Sequence, residues 1–125
     1  MKLLEISKQI VKKIPEATFK VNVVIFFEYD KPMDIALLHD DQLDVSKQTA
    51  NKPVVKEAHR VMKQLMKEAR ADIRYEIISY NTDEHELRAL CVGTAENLWK
   101  FWRYVSPDTN RYTKRDFEER LLKPW

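Results

Sequence analysis

The residues whose types and spacing point most clearly to chemistry are five cations in the middle of the chain. They are Lys56, Arg60, Lys63, Lys67 and Arg70. Their spacing of four, three, four and three residues places all five within an arc of roughly 80° on an α-helix. Such a row can follow a nucleic-acid backbone or the acidic surface of a protein. It can also be a solvated helix face, because Lys and Arg are good helix formers.

Two carboxylates, Glu57 and Glu68, belong to the same segment. On the helical wheel they fall on the flank of the basic arc, which predicts that they are too far round to neutralise it. Most amphipathic helices mix both signs on their polar face. The sequence therefore predicts a row of cations that is available to a partner.

The stretch LWKFWRYV, residues 98–105, mixes aromatic side chains with cations. On a helical wheel, four apolar residues share one face and predict core packing: Leu98, Phe101, Trp102 and Val105. Trp99 and Tyr104 flank the charged strip and are predicted to be exposed. Aromatic side chains beside cations can stack on bases or form protein–protein hot spots. The candidate partner-binding residues in this part of the chain are Trp99, Lys100, Arg103, Tyr104, Arg111, Tyr112, Lys114 and Arg115.

Acidic side chains gather at the two ends of a predicted β-hairpin. The clusters are Glu28, Asp30 and Asp34 at the turn, and His39, Asp40, Asp41 and Asp44 at the opposite end. Metal-dependent nucleases use two or three carboxylates that converge on Mg²⁺. The second cluster lacks the spacing and the glycine of an EF-hand. Solvated carboxylates that protect a sheet edge are the alternative. We assign no residue as a metal ligand and predict no cofactor. Whether either acidic cluster binds a metal is left open.

The sequence offers no catalytic constellation. Cys91 is the chain's one cysteine, and it shares a predicted strand face with Leu87 and Ala89, which is typical of a buried thiol. The three histidines share no metal-ligand spacing. A single glycine excludes the Gly-rich phosphate-binding loops. We therefore predict no catalytic residue.

Strands are predicted where apolar residues alternate, at residues 18–29, 33–39, 72–80 and 87–94. The first is apolar on both faces in its middle, which predicts a central position in a sheet. Asp30, Lys31 and Pro32 indicate a turn, so the first two strands should form a hairpin. Residues 40–52 are polar and predict a loop.

Helices are predicted at residues 3–14, 53–71, 95–105 and 114–122. The first ends before Pro15, and Pro53 suits the first turn of the second. Thr94 and Thr113 can cap the third and the fourth. The resulting order, α-β-β-α-β-β-α-α, predicts an α+β fold in which a four-stranded, mostly antiparallel sheet carries helices on one face.

The chain of 125 residues is predicted to form one globular domain, 1–125. A lone cysteine fits a reducing compartment, so we expect a cytoplasmic protein, and no apolar run predicts a membrane span. The net charge is +2, with positive charge concentrated in residues 52–71 and negative charge in residues 21–51.

These patterns lead to a functional hypothesis. We expect a non-catalytic binding module, such as an inhibitor, an immunity-type protein or an adaptor, that acts through a protein partner. The alternative is a nucleic-acid-binding protein that uses the helix 53–71 and the aromatic and basic C-terminal segment. A metal-dependent nuclease is a weaker alternative. A homodimer is expected if the aromatic face exceeds what one sheet can cover.

Overall fold

The computed structural model describes residues 19–28, 31–38, 52–106 and 112–124. The predicted N-terminal helix and residues 40–51 of the predicted loop lie outside the described residues. The elements in chain order are β1 (Phe19–Glu28), β2 (Lys31–Leu37), α1 (Lys52–Ala69), β3 (Arg74–Asn81), β4 (Glu86–Gly93), α2 (Ala95–Val105), α3 (Lys114–Asp116), a π-helix (Phe117–Leu121) and β5 (Lys123–Pro124).

The sheet confirms the predicted α+β class. Its four main strands lie in the order β2-β1-β4-β3, and each pairs with its neighbour in antiparallel fashion. β1 is internal, as its two apolar faces predicted. The short β5 was not predicted, and it pairs with the beginning of β1, where Phe19 lies opposite Pro124. None of the helices in the described part of the chain has the length and hydropathy of a membrane span.

The core lies between the sheet and the two long helices. Alternate residues of the central strands point into it: Val21, Val23 and Ile25 from β1, and Leu87, Ala89 and Cys91 from β4. α1 contacts β3, and α2 contacts β1, β2 and β4. The buried face of α2 consists of the four residues that the helical wheel predicted. Its N-terminus is capped by Thr94, whose hydroxyl accepts the backbone N–H of Asn97.

The hairpin turn was predicted too long, because Lys31 and Pro32 belong to β2. The register shifts between Phe26, opposite Asp34, and Phe27, opposite Pro32. Met33 is therefore the extra residue of a β-bulge. Pro32 is tolerated here because β2 lies at the edge of the described sheet, where a missing N–H removes no ladder bond.

Helix α1 ends two residues earlier than predicted, at Ala69. Arg70 has a left-handed backbone with φ of 55°. The Arg70 N–H donates to the Lys67 carbonyl at 3.2 Å, and the Ala71 N–H donates to the Met66 carbonyl at 3.0 Å. This is a Schellman motif, and Arg70 occupies the position at which glycine is usual. Arg70 therefore lies beyond the helix that carries the other four cations.

The predicted C-terminal helix is only partly α-helical. Thr113 and Asp116 form a capping box at the start of α3. The chain then continues as a π-helix, in which Phe117 and Leu121 are buried. Phe117 is fully buried against the rings of Trp99 and Trp102, so this segment completes the core.

Candidate partner-binding surface

The five predicted cations are all exposed in the structure. Four of them lie on the outer face of α1, opposite the buried Ala58, Met62 and Leu65. From Lys56 to Lys67 the helix rises by roughly 16 Å. The helix thus presents its row of positive charge away from the sheet, as the spacing predicted.

Arg60, one of the five cations, forms an ion pair with Glu57. The prediction that Glu57 lies too far round the helix to neutralise the row is therefore wrong for this cation. Nε of Arg60 donates to Oε2 of Glu57 at 2.9 Å, and Nη2 donates to Oε1. The hydrogen bond from Arg60 lowers the pKa of Glu57. The described residues place no carboxylate within ion-pair distance of Lys56, Lys63 or Lys67. Among the described side chains of α1, these three lysines are the ones whose positive charge has no such ion pair.

Glu68 is the second carboxylate of α1, and it contacts α2. Its Oε2 accepts the hydroxyl of Tyr104 at 2.6 Å, and its Oε1 accepts the side-chain amide of Gln64 at 2.7 Å. The hydrogen bond from Tyr104 lowers the pKa of Glu68, and the same bond raises the pKa of Tyr104. Tyr104 as a residue stays 46% exposed. Its hydroxyl is therefore paired with α1 while much of the side chain faces solvent.

A groove lies between α1, α2 and the start of β2. Its volume is 350 Å³, and it is lined by Lys31, Pro32, Leu65, Glu68, Tyr104 and Val105. Within the described ranges, Met33 at 42% and Tyr104 at 46% are the large apolar side chains that remain exposed. Sequence reasoning missed this groove because its lining comes from three elements that are far apart in the sequence, and no local pattern signals their meeting.

Trp99 and Tyr112 are less accessible than predicted. The ring centroid of Trp99 lies 5.3 Å from that of Phe117, and Tyr112 meets Trp102 edge-on at 6.2 Å. Both side chains are partly buried against the core. The structure therefore separates Trp99 from Tyr104, which the sequence analysis had treated as an equivalent pair.

The remaining predicted contact residues divide between two places. Lys100 and Arg103 are exposed on α2, and Nζ of Lys100 lies 3.9 Å from Glu96. Lys114 and Arg115 belong to α3, where Arg115 pairs with Glu119 at 2.9 Å. The C-terminal segment packs on the Trp99 flank of α2, roughly 140° round the helix from Tyr104. Arg111 lies outside the described residues.

The acidic clusters are only partly described. Glu28 is exposed, whereas Oδ1 of Asp34 accepts the Ile35 N–H at 2.8 Å and the Ser106 hydroxyl at 3.4 Å. The other members lie outside the described residues: Asp30, His39, Asp40, Asp41 and Asp44. In the described ranges, no three His, Cys, Asp or Glu side chains come together as a metal site would require.

Cys91 is fully buried, as its strand face predicted. Burial raises the pKa of its thiol to about 12. The thiol therefore stays protonated at neutral pH and is a weak nucleophile.

A second cavity, of 500 Å³, lies at the β3–β4 turn. Its polar groups bind one another. Oδ1 of Asn81 accepts the backbone N–H groups of Asp83 and Glu84, and Arg88 contacts Glu86 at 3.3 Å. This internal pairing is typical of a stabilised turn, so the site on α1 and α2 is the stronger candidate.

Comparison with known proteins finds no matching protein-family model, no matching curated protein and no matching solved structure.

Proposed function

We propose that this protein is a non-catalytic binding module of the cytoplasm that binds an acidic protein partner through α1 and α2. The observation that carries the proposal is the exposed row of Lys56, Lys63 and Lys67 on α1, together with the exposed side chain of Tyr104, whose hydroxyl bonds to Glu68 of the same helix. No carboxylate of the described residues lies within ion-pair distance of these lysines, so their charge is available to an acidic surface.

The aromatic side chain favours a protein partner. Tyr is enriched at protein–protein hot spots, where it contributes apolar area and one polar group. The bond to Glu68 favours one position of Tyr104, and any such bias lowers the entropy that is lost on binding. Cations around such an anchor accelerate association and set its orientation. An inhibitor, an immunity-type protein or an adaptor would use a surface of this kind.

Nucleic-acid binding is the second candidate, and the straight row of lysines on α1 is the observation that favours it. Lysine contacts phosphate as a point charge, which suits binding without sequence preference. Such binding weakens steeply with salt because phosphate contacts release counterions. Salt dependence therefore distinguishes the two candidates.

The test is affinity purification of the tagged protein from its native host, with and without nuclease treatment. The double variant Lys63→Glu/Lys67→Glu reverses two charges of the row. Arg74→Glu/Arg120→Glu is the matched control, because it makes the same change in net charge at exposed positions outside α1 and α2. We expect a nuclease-resistant protein partner that the first variant loses and the control retains.

Two outcomes would contradict the proposal. Equal recovery of partners by both variants would show that the row is only solvated. Loss of all partners on nuclease treatment, together with steep salt dependence, would favour the nucleic-acid candidate instead.

A further inference from the structure

We propose that residues 3–14 of this chain cover the face of the sheet opposite α1 and α2. The sequence predicts this segment to be an amphipathic helix, and its docking adds a second apolar layer to the fold. The inference is independent of the proposed function, because the lysine row lies on the helix α1 on the other side of the sheet.

The sheet has a second apolar face. Leu90 of β4 lies in one row with Asn22 of β1 and Glu76 of β3, whereas its neighbours Ala89 and Cys91 point into the core beneath the helices. Among the described residues, five apolar side chains are buried without belonging to that core, with exposures from 0% to 8%: Val24, Leu38, Ile78, Leu90 and Val92. Side chains on a bare sheet face would be open to water, so these five require a cover.

The described helices all pack on the other face. Ala58 and Met62 of α1 belong to the core that contains Cys91, and so do the buried face of α2 and Phe117 of the π-helix. Among the described elements, none is therefore placed to shield Leu90. The cover must come from residues outside the described ranges.

Two of the segments outside those ranges are long enough, residues 1–18 and residues 39–51; each of the others has at most five residues. Residues 39–51 are mostly polar, and Leu43 and Val45 are their large apolar residues. Residues 3–14 carry six large aliphatic residues within an arc of roughly 160° on a helix: Leu3, Leu4, Ile6, Ile10, Val11 and Ile14. The first segment therefore offers the apolar stripe that the face needs.

Charge favours the same segment. Glu76 lies in the middle of the second face and is only 7% exposed, and a carboxylate so deeply buried favours cationic surroundings. Residues 1–18 contain four lysines and two glutamates, a net charge of +2. Residues 39–51 contain one lysine and three aspartates, a net charge of −2 with His39 neutral.

The dimensions also agree. A helix over residues 3–14 is roughly 18 Å long and about 10 Å wide, and four strands span roughly 14 Å across the sheet. Residues 15–18 can reach about 13 Å. They join the segment to Phe19, at the start of the internal strand β1, which is enough chain to turn back onto the face.

The test compares two neighbouring positions of β4 that face opposite sides of the sheet. Cys91, the chain's one cysteine, reports on the core beneath the helices, and the double variant Leu90→Cys/Cys91→Ala reports on the second face. N-ethylmaleimide labels each in the full chain. Ile10→Gln places an amide in the apolar stripe, and Lys12→Gln, on the opposite side of the predicted helix, is the matched control. We expect Ile10→Gln to accelerate labelling at position 90 by about tenfold or more, because it weakens docking of the segment. Labelling of Cys91 should change by less than about twofold, and Lys12→Gln should change neither rate.

Three outcomes would overturn the inference. Rapid labelling at position 90 before Ile10 is changed would show that the face is open. An unchanged rate in Ile10→Gln would show that residues 3–14 do not cover it. Acceleration by Leu43→Gln, and not by Ile10→Gln, would assign the cover to residues 39–51.

A double-mutant cycle decides the question if Ile10→Gln opens the whole fold and exposes both positions equally. Ile10→Ala is combined with Leu90→Ala on the second face, and separately with Met62→Ala in the core beneath the helices. Urea titration measures the unfolding equilibrium constants. We expect the first pair to depart about threefold or more from the product of its single effects, as residues in contact do, and the second pair to follow the product. Independent effects in both pairs would contradict the docking of residues 3–14.

Discussion

The hydroxyl of Tyr104 donates a hydrogen bond of 2.6 Å to Oε2 of Glu68 and thereby joins α2 to α1 at the surface. The two residues are 36 positions apart in the chain, so the bond exists only in the folded protein. Both partners are exposed, and a bond at such a site contributes little to the free energy of unfolding. Its role is to bring the Tyr104 hydroxyl against α1 while much of the side chain stays exposed.

Tyr104→Phe removes this bond without removing the ring, and its effect should depend on pH. The pKa of Glu68 is lowered from 4.5 in the folded protein, so the stabilisation is complete above that value and is lost as the pH falls. The pKa of Tyr104 is raised from 10.0, so the stabilisation is also lost in strong alkali. We expect the variant to be slightly less stable than the wild type between these limits and equal to it in acid, as urea titrations at several pH values would show. A constant difference at all pH values would contradict the assignment.

Phe117→Ala should destabilise the protein by about 3–5 kcal/mol, because the ring is fully buried and its loss leaves a cavity. Trp102→Ala should cost a similar amount. Trp99→Ala should cost about 2 kcal/mol, since only part of that side chain is buried. Chemical denaturation of the three variants measures this order. If Trp99→Ala leaves the free energy of unfolding unchanged, the prediction that Trp99 is an exposed contact residue would stand again.

Arg70→Gly should stabilise the protein by about 1 kcal/mol, although it removes a cation. The left-handed backbone at this position strains any residue with a Cβ atom and suits glycine. Arg70→Ala is the matched control, because it removes the same charge and keeps the Cβ. Thermal unfolding should show a higher midpoint for the glycine variant than for the alanine variant. Equal midpoints for the two variants would show that backbone strain at Arg70 does not lower the stability.

Asp34→Ala should increase self-association. The Leu38 N–H donates to Asn22 of β1, so by the alternation of an antiparallel ladder the Ile35 N–H points away from β1. Asp34 accepts this outward N–H and so blocks the edge of β2. Asp34→Asn keeps an acceptor oxygen and is the control. Sedimentation velocity should show association of the alanine variant alone; association of both would indicate that the charge of Asp34, and not its hydrogen bond, protects the edge.

Periodicity predicted the strands and long helices because burial on one side of an element repeats along the chain. It placed Leu98, Phe101, Trp102 and Val105 on the buried face of α2, and it placed β1 inside the sheet. These are local consequences of spacing, and no distant contact is needed to derive them.

The groove and its surroundings depend on contacts that the spacing of residues in the sequence does not predict. Pro32 belongs to a strand because of a bulge at Met33, and a bulge has no periodic signature. Trp99 became partly buried because Phe117, 18 residues later in the sequence, packs on it. Glu57 pairs with Arg60 although the helical wheel places it outside the basic arc. The wheel gives only the direction in which a side chain leaves the helix, and both side chains are long enough to bend toward each other.

The pairing of β5 with β1 has a consequence for the folding of the nascent chain. Phe19 and Pro124 lie opposite each other in the sheet, and Phe117 fills the space beside Trp102. Neither contact can form before residues 117–124 have left the ribosome. Until then the two tryptophans lack their aromatic cover, so the nascent chain exposes an apolar surface that the finished fold hides.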